Sequence, residues 1–210
     1  MSSKAARPRA KRRTRAPDVT REKLVNAAFA EIHRHGFQAA SLDAILANAG
    51  VTKGALYHHF PDKAALGHAV VDEILKPIIF ADWLDRLADR DPIDGMHDAL
   101  RNKFESMASG GFVPLGCPLQ NLAQEMSPIE EAFRQRVNGL FDTWRSGFAK
   151  ALRRGQAEGT VRSDIDAAKT AAFIIAAAEG AVGLAKSANS PQLLRSTFEV
   201  LHGYLETLRG

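Results

Sequence analysis

Residues 41–60, SLDAILANAGVTKGALYHHF, constrain what this chain can fold into more than any other stretch. Ser41 and Thr52 each precede a short run with apolar residues at helical spacing, and Gly50 separates the two runs. A hydroxyl placed just before a helix accepts from the unpaired N–H groups of its first turn, and a glycine readily ends one. The sequence therefore predicts two short helices meeting at a sharp turn, with Ile45, Leu46, Val51 and Leu56 facing inward. The second helix would expose Lys53, Gly54, Ala55, Tyr57, His58 and His59, a mixture of polar groups and small residues. Such a corner fits the major groove of a duplex, with its second helix against the base edges. It also suits an ordinary helical corner that carries aromatics and histidines on its surface. His58 and His59 point in different directions around a helix and have no third ligand nearby in sequence, so no metal site is expected.

Helical periodicity continues on both sides of this corner. Upstream, Thr20 is expected to cap a helix carrying Leu24, Ala28, Phe29 and Ile32, stopped by Gly36. Downstream, a long helix is expected over residues 62–87, bent or interrupted at Pro77, which removes a backbone donor. Further helices are expected over residues 93–107, 118–126 and 128–158. The last of these has an apolar stripe through Ile129, Phe133, Val137, Leu140, Phe141, Trp144, Phe148 and Leu152. An alanine-rich helix opening at Asp164 or Asp166 and running to Ala188 follows. A final helix after Pro191 carries Leu194, Phe198, Leu201, Leu205 and Leu208 at alternating four- and three-residue spacing. No run of alternating β-branched residues asks to be a strand. The expected fold is all-α, with about nine helices: an N-terminal three-helix helix-turn-helix unit over residues 18–65, and a C-terminal helical bundle over residues 66–210.

Charge is placed unevenly. Seven of the 28 Lys and Arg lie within residues 1–17, ahead of the first acid at Asp18, so the rest of the chain is slightly acidic. Residues 1–17 therefore read as a disordered basic arm suited to phosphates or a minor groove, or else as a solubilising tail. The arm has no apolar stretch behind it and does not read as a secretory signal. The longest apolar run, AAFIIAAA at residues 171–178, is far short of the ~20 residues that cross a bilayer. One cysteine, Cys117, excludes an intrachain disulfide and offers no zinc spacing. The expected address is the cytoplasm, with no membrane partner and no cofactor.

Residues 20–66, with HGFQAASLDAILANAGVTKGALYHHFPDKAAL at their centre, closely resemble the TetR family of bacterial regulators. The agreement is ordered along the chain: Gly36-Phe37, a capped helix, Ala49-Gly50-Val51, Gly54, Leu56-Tyr57, Phe60 and Lys63. The resemblance implies that this half binds double-stranded operator DNA. Tyr57 and Lys63 match positions that grip phosphates, and Thr52 caps the recognition helix. Ser41, Lys53, Gly54, Ala55, His58 and His59 match positions near bases or the adjoining backbone. It further implies a homodimer, since two such heads occupy half-sites about 34–36 Å apart. Gly180, Ala181, Gly183 and Leu184, with Phe198, Leu201 and Leu205, are the expected joining surface, though both stripes also suit a protomer core.

The intervening helices are expected to enclose a pocket for an unknown small-molecule effector. Candidate lining residues are Phe104, Met107, Phe112, Cys117, Leu122, Met126, Phe133, Phe141, Trp144 and Phe173, all of which would serve equally as core. Cys117 falls at a helix N-cap in GCPLQNLAQE, where the helix dipole favours thiolate. That stretch resembles a GC-P-L-x-N-L-A-x-E motif in a TetR branch that includes electrophile- and oxidant-sensing repressors, although not every relative with the motif senses through cysteine, and a small buried structural cysteine is the favoured reading over a sensor. The expected function is a repressor released by an effector or by thiol modification. An activator, a constitutive DNA-binding protein and, with no nucleophile–base pair in its favour, an enzyme are the alternatives.

Overall fold

The computed structural model describes residues 16–210, so the basic arm lies outside the described residues except for its last two positions. The first helix, α1, spans Ala16–His35. It begins five residues earlier than a cap at Thr20 would require, which makes Thr20 an interior residue rather than a cap. It ends at Gly36, whose φ of 82° lies in the left-handed region that glycine enters freely. α2 (Leu42–Ala49) and α3 (Lys53–His59) follow, with the Ser41 and Thr52 hydroxyls accepting from Ala44 N and Ala55 N as N-caps. Gly50, also left-handed, makes the turn between them. Leu24, Ala28, Ile32, Ile45, Leu56 and Phe60 bury together as the core of this unit.

Asp62 caps α4, the continuous helical run over residues 63–87, through Ala65 N. At Pro77 the regular α pattern is interrupted but the chain stays helical through it. The segments are Lys63–Val70 as α-helix, Val71–Leu75 as a π turn, Lys76–Ile79 as α-helix, Phe80–Leu84 as a second π turn, and Asp85–Leu87 as a 3₁₀ turn. Wider turns on either side relax the clash and the missing hydrogen bond that proline imposes on a regular α-helix.

The C-terminal bundle comprises α5 (Pro92–Ser109), α6 (Pro118–Met126), α7 (Glu131–Glu158), α8 (Ala167–Ala188) and α9 (Pro191–Glu206). α7 begins three residues later than expected, which leaves Ile129 outside the helix and exposed. The rest of the stripe holds: Phe133, Val137, Leu140, Trp144, Phe148 and Leu152 are buried, and Phe141 is half-buried. Asp166 rather than Asp164 caps α8. α8 is long and apolar enough to cross a membrane by length and composition, with a mean hydropathy of 1.4, but half of that stretch is buried within the protein. It packs between α7 and α9. Among the described residues the only β-type pairing is the isolated Val161–Arg209 bridge.

The two units share one core. Phe37, from the α1–α2 loop, and Phe133, from α7, meet edge to face with their ring centroids 4.7 Å apart. Gly67 of α4 makes room for them, because a Cβ there would lie 2.5 Å from one ring and 2.7 Å from the other.

Candidate nucleic-acid interface and sensing core

α3 is anchored by one buried side chain, Leu56, and turns nearly everything else outward. Thr52, Lys53, Gly54, Tyr57 and His58 are exposed, with Tyr57 at 48%, while Ala55 and His59 are half-buried. Ser41 is also exposed at the head of α2. Most of the sequence-predicted face thus forms an exposed ridge along α3, on which Tyr57 is the large apolar group left uncovered. Lys63 differs. It is half-buried at the start of α4, donates through Nζ to the Gln38 carbonyl at 3.0 Å, and lies 5.0 Å from the Phe37 ring centre. Desolvation lowers its pKa, opposed by Glu125 and Glu31. Lys63 therefore braces the α1–α2 corner, a role that its spacing from Tyr57 did not suggest. His58 and His59 contact each other edge to face, and no group of three metal-ligating side chains occurs among the described residues.

The expected effector-pocket residues do not converge on one cavity. Met107, Leu122, Met126, Phe133 and Trp144 are packed into the continuous core. Phe104 and Phe141 lie partly buried at its edge. Phe112 and Phe173 point outward, at 46% and 54% exposure. Aromatic periodicity locates the tightly packed face of a helix, and tight packing leaves no room for a ligand. A half-open cleft of about 490 Å³ lies instead between α6, α7 and α8, where Gln120, Gln124, Phe141, Arg145, Ile175 and Glu179 line it. Of the expected set only Phe141 belongs to it.

Cys117 occupies the predicted N-cap of α6, but its side chain makes no capping hydrogen bond and is buried. Burial pushes the thiol far above its ordinary pKa, and the Glu179 carboxylate raises it further, with Lys103 opposing only in part. These effects outweigh the helix dipole, so of the two sequence readings the structure builds the favoured one, a small buried cysteine, and not a dipole-activated thiolate. Cys117 and Glu179 lie within each other's electrostatic reach, and the pKa of Glu179 is itself raised, chiefly by burial. Glu179 Oε2 has no hydrogen-bond partner although it is buried beside the cleft. Sequence reasoning missed Lys103 and Glu179, which sit mid-helix in α5 and α8 among unremarkable neighbours.

The expected joining surface divides in two. Ala181, Phe198, Leu201 and Leu205 are buried inside the protomer, where α9 packs on α5 and α8. Their spacing marked the protomer core and not a seam. Gly180, Gly183 and Leu184 are exposed, and their outer face continues into residues assigned elsewhere or overlooked. Phe173 packs on Tyr204 with ring centroids 5.0 Å apart, and Val200 is 75% exposed. Residues 173, 177, 180 and 184 on α8, and 200 and 204 on α9, recur every three or four positions. This second stripe, offset from the buried one, was a legible signal.

Comparison with known proteins agrees with this architecture. The family model for bacterial regulatory proteins of the tetR family matches residues 24–70, and that for the tetracyclin repressor-like C-terminal domain matches residues 98–201. The chain is 32% identical over 199 residues to the transcriptional regulator AcuR of Cereibacter sphaeroides, covering 90% of this chain and 88% of that one. It is 27% identical over 164 residues to the transcriptional repressor DhaR of a Mycobacterium species, covering 77% and 80% of the two chains. A TetR transcriptional regulator from Chloroflexus aurantiacus superposes with a TM-score of 0.82 at 30% identity, over 93% of this chain and 98% of that one. With its helix-turn-helix ridge joined to an all-helical second unit, the chain belongs to the TetR family of DNA-binding transcriptional regulators.

Proposed function

We propose that the chain is a cytoplasmic homodimeric repressor, released from its operator by a small molecule that enters the cleft between α6, α7 and α8. The observation that carries the dimer is the uncovered apolar face formed by Phe173, Gly180, Leu184 and Val200 on α8 and α9. A two-fold axis through this face would bury large apolar side chains against their own copies. On each α3 ridge Tyr57 grips phosphate, while Lys53, Gly54, Ala55 and His58 lie toward base edges. Repression is supported by DhaR, which is named a repressor. The named relatives are regulators, which favours this reading over an enzyme.

A non-covalent effector is favoured over thiol modification because Cys117 is buried and its thiol is held protonated. Glu179, with one unpaired carboxyl oxygen at the cleft wall, is the group such a ligand would satisfy.

The test has three parts. Light scattering should give twice the 22.8 kDa chain mass. Selection from a randomised duplex pool should return a two-fold symmetric sequence. A reporter promoter carrying that sequence should fall in output when the chain is expressed. A monomer bound to an asymmetric site would overturn the dimer, and a rise in reporter output would replace repression with activation.

A further inference from the structure

The final Glu of the GCPLQNLAQE stretch has no part in the cleft or the thiol. Glu125, near the C-terminus of α6, reaches across to the α1–α2 loop. Its two carboxylate oxygens accept from consecutive backbone amides, Oε2 from Phe37 N and Oε1 from Gln38 N, each at 2.8 Å. Gly36 is shaped to this contact, because a Cβ there would stand only 3.0–3.2 Å from the carboxylate. Lys63 completes the arrangement by donating to the carbonyl of Gln38, the residue whose amide Glu125 holds. At the other end of α6, Asn121 donates to Leu115 O at 2.8 Å and accepts from Lys186 of α8 at 2.9 Å. His33 Nε2 donates to Gly116 O at 2.9 Å, a parallel tie between α1 and the loop before α6.

We propose that Glu125 is a positioning residue for operator binding: its carboxylate locks the Phe37–Gln38 backbone at the entry to α2, so that any displacement of α6 is delivered to the DNA-reading helices. The nine residues of α6 form a short strut, seated on α8 through Asn121 and on the reading head through Glu125. This route is distinct from the long α4, which enters the sensing core directly. A paired bond from a carboxylate to two adjacent N–H groups is charge-assisted and fixes orientation as well as distance. Transmission rests on the proposal that the bundle senses an effector, whereas the lock itself needs only the DNA binding shown for the family.

The experiment needs no effector. In the wild-type chain, the Phe37 and Gln38 amides should both be protected from hydrogen exchange, read by NMR; if both exchange as free amides, the lock does not exist in solution. Glu125→Gln keeps the size of the side chain but turns an NH2 donor toward one of two donors. Exchange at both amides should accelerate on the order of tenfold, and affinity for a duplex selected by the wild-type chain should fall on the order of tenfold, with the dimer mass unchanged. Faster exchange with unaltered affinity overturns the positioning role. Asn121→Ala, which frees the far end of α6, should weaken duplex binding in the wild-type background and have little further effect beside Glu125→Gln. Additive effects of the two substitutions would show that α6 does not act through Glu125. Failure of the repressor reading appears differently, as a monomer or a raised reporter with the amide behaviour intact.

Discussion

Gly54 sits in the first turn of α3, on the exposed ridge, and nothing inside the protein requires it to be glycine. A Cβ built there meets nothing nearer than Thr52 Oγ1 at 3.9 Å, an ordinary contact, and its φ is not in the left-handed region. Glycine nevertheless weakens a helix relative to alanine by about 0.5–1 kcal/mol, and an end-of-helix position takes the lower part of that range. Gly54→Ala should therefore stabilise the protomer, raising Tm by about 1–2 °C for a chain of this size. The cost should appear only on DNA. If the residue is small so that backbone can approach the duplex, one methyl group pushes the ridge outward and loosens the neighbouring phosphate and base contacts together. A tenfold loss of affinity corresponds to about 1.4 kcal/mol, and a loss of at least that size is expected. Thermal unfolding of the free protein, beside fluorescence anisotropy with a wild-type-selected duplex at fixed salt, reads both effects. A higher Tm with unchanged or tighter binding would refute the reasoning, since Gly54 would then be reserved for nothing. A lower Tm would refute the claim that the space around it is free.

Val200→Arg should convert the dimer to monomer at micromolar concentration while changing protomer stability by no more than about 0.5 kcal/mol. Phe198→Ala, two residues away but inside the core, should instead cost about 3–5 kcal/mol of stability; light scattering with denaturant titration separates the two, and equal behaviour would overturn the division of α9 into inner and outer faces. The raised pKa of Glu179 means that the folded state retains its proton more firmly than the unfolded chain. Its contribution is present below the ordinary carboxyl range and is lost as pH rises through the folded value. Relative to wild type, Glu179→Gln should fare better in denaturant at pH 8 than at pH 4, and a difference independent of pH would count against a buried, proton-retaining carboxyl. Deleting residues 1–15, with their seven Lys and Arg, should flatten the dependence of duplex affinity on salt, because fewer counterions are released. An identical slope in the two proteins would mean that the arm makes no phosphate contacts.

Elements governed by local rules were legible in the chain. Ser41, Thr52 and Asp166 cap because a short polar side chain beside an apolar run has a backbone N–H within reach. Gly36 and Gly50 stop helices for similarly local reasons. Hence the helix count, the helix-turn-helix and most of the outward set on α3, with Ala55 and His59 only half-exposed, could be read directly. Thr20 misled because Ala16–Val19 continue the helix beyond a residue that looks like a cap. Pro77 marked a real disturbance, but local reasoning did not show its form, in which the chain widens its turns on either side and stays helical.

By itself, the sequence determined an all-α chain with a DNA-reading corner, because caps, stops and a 3.6-residue period act over one or two turns. Tertiary structure decided which apolar stripe faces the core and which faces out. Phe198 and Val200 lie two positions apart in the same helix, and only the packing of α9 on α5 and α8 assigns one to the protomer and leaves the other uncovered. It also decided that Cys117 is shielded, since the Glu179 and Lys103 that shape its environment lie far from it along the chain. The grip of Glu125 on Phe37 and Gln38 spans 88 and 87 positions. No periodicity reaches that far; contacts between distant residues exist only once the helices have packed.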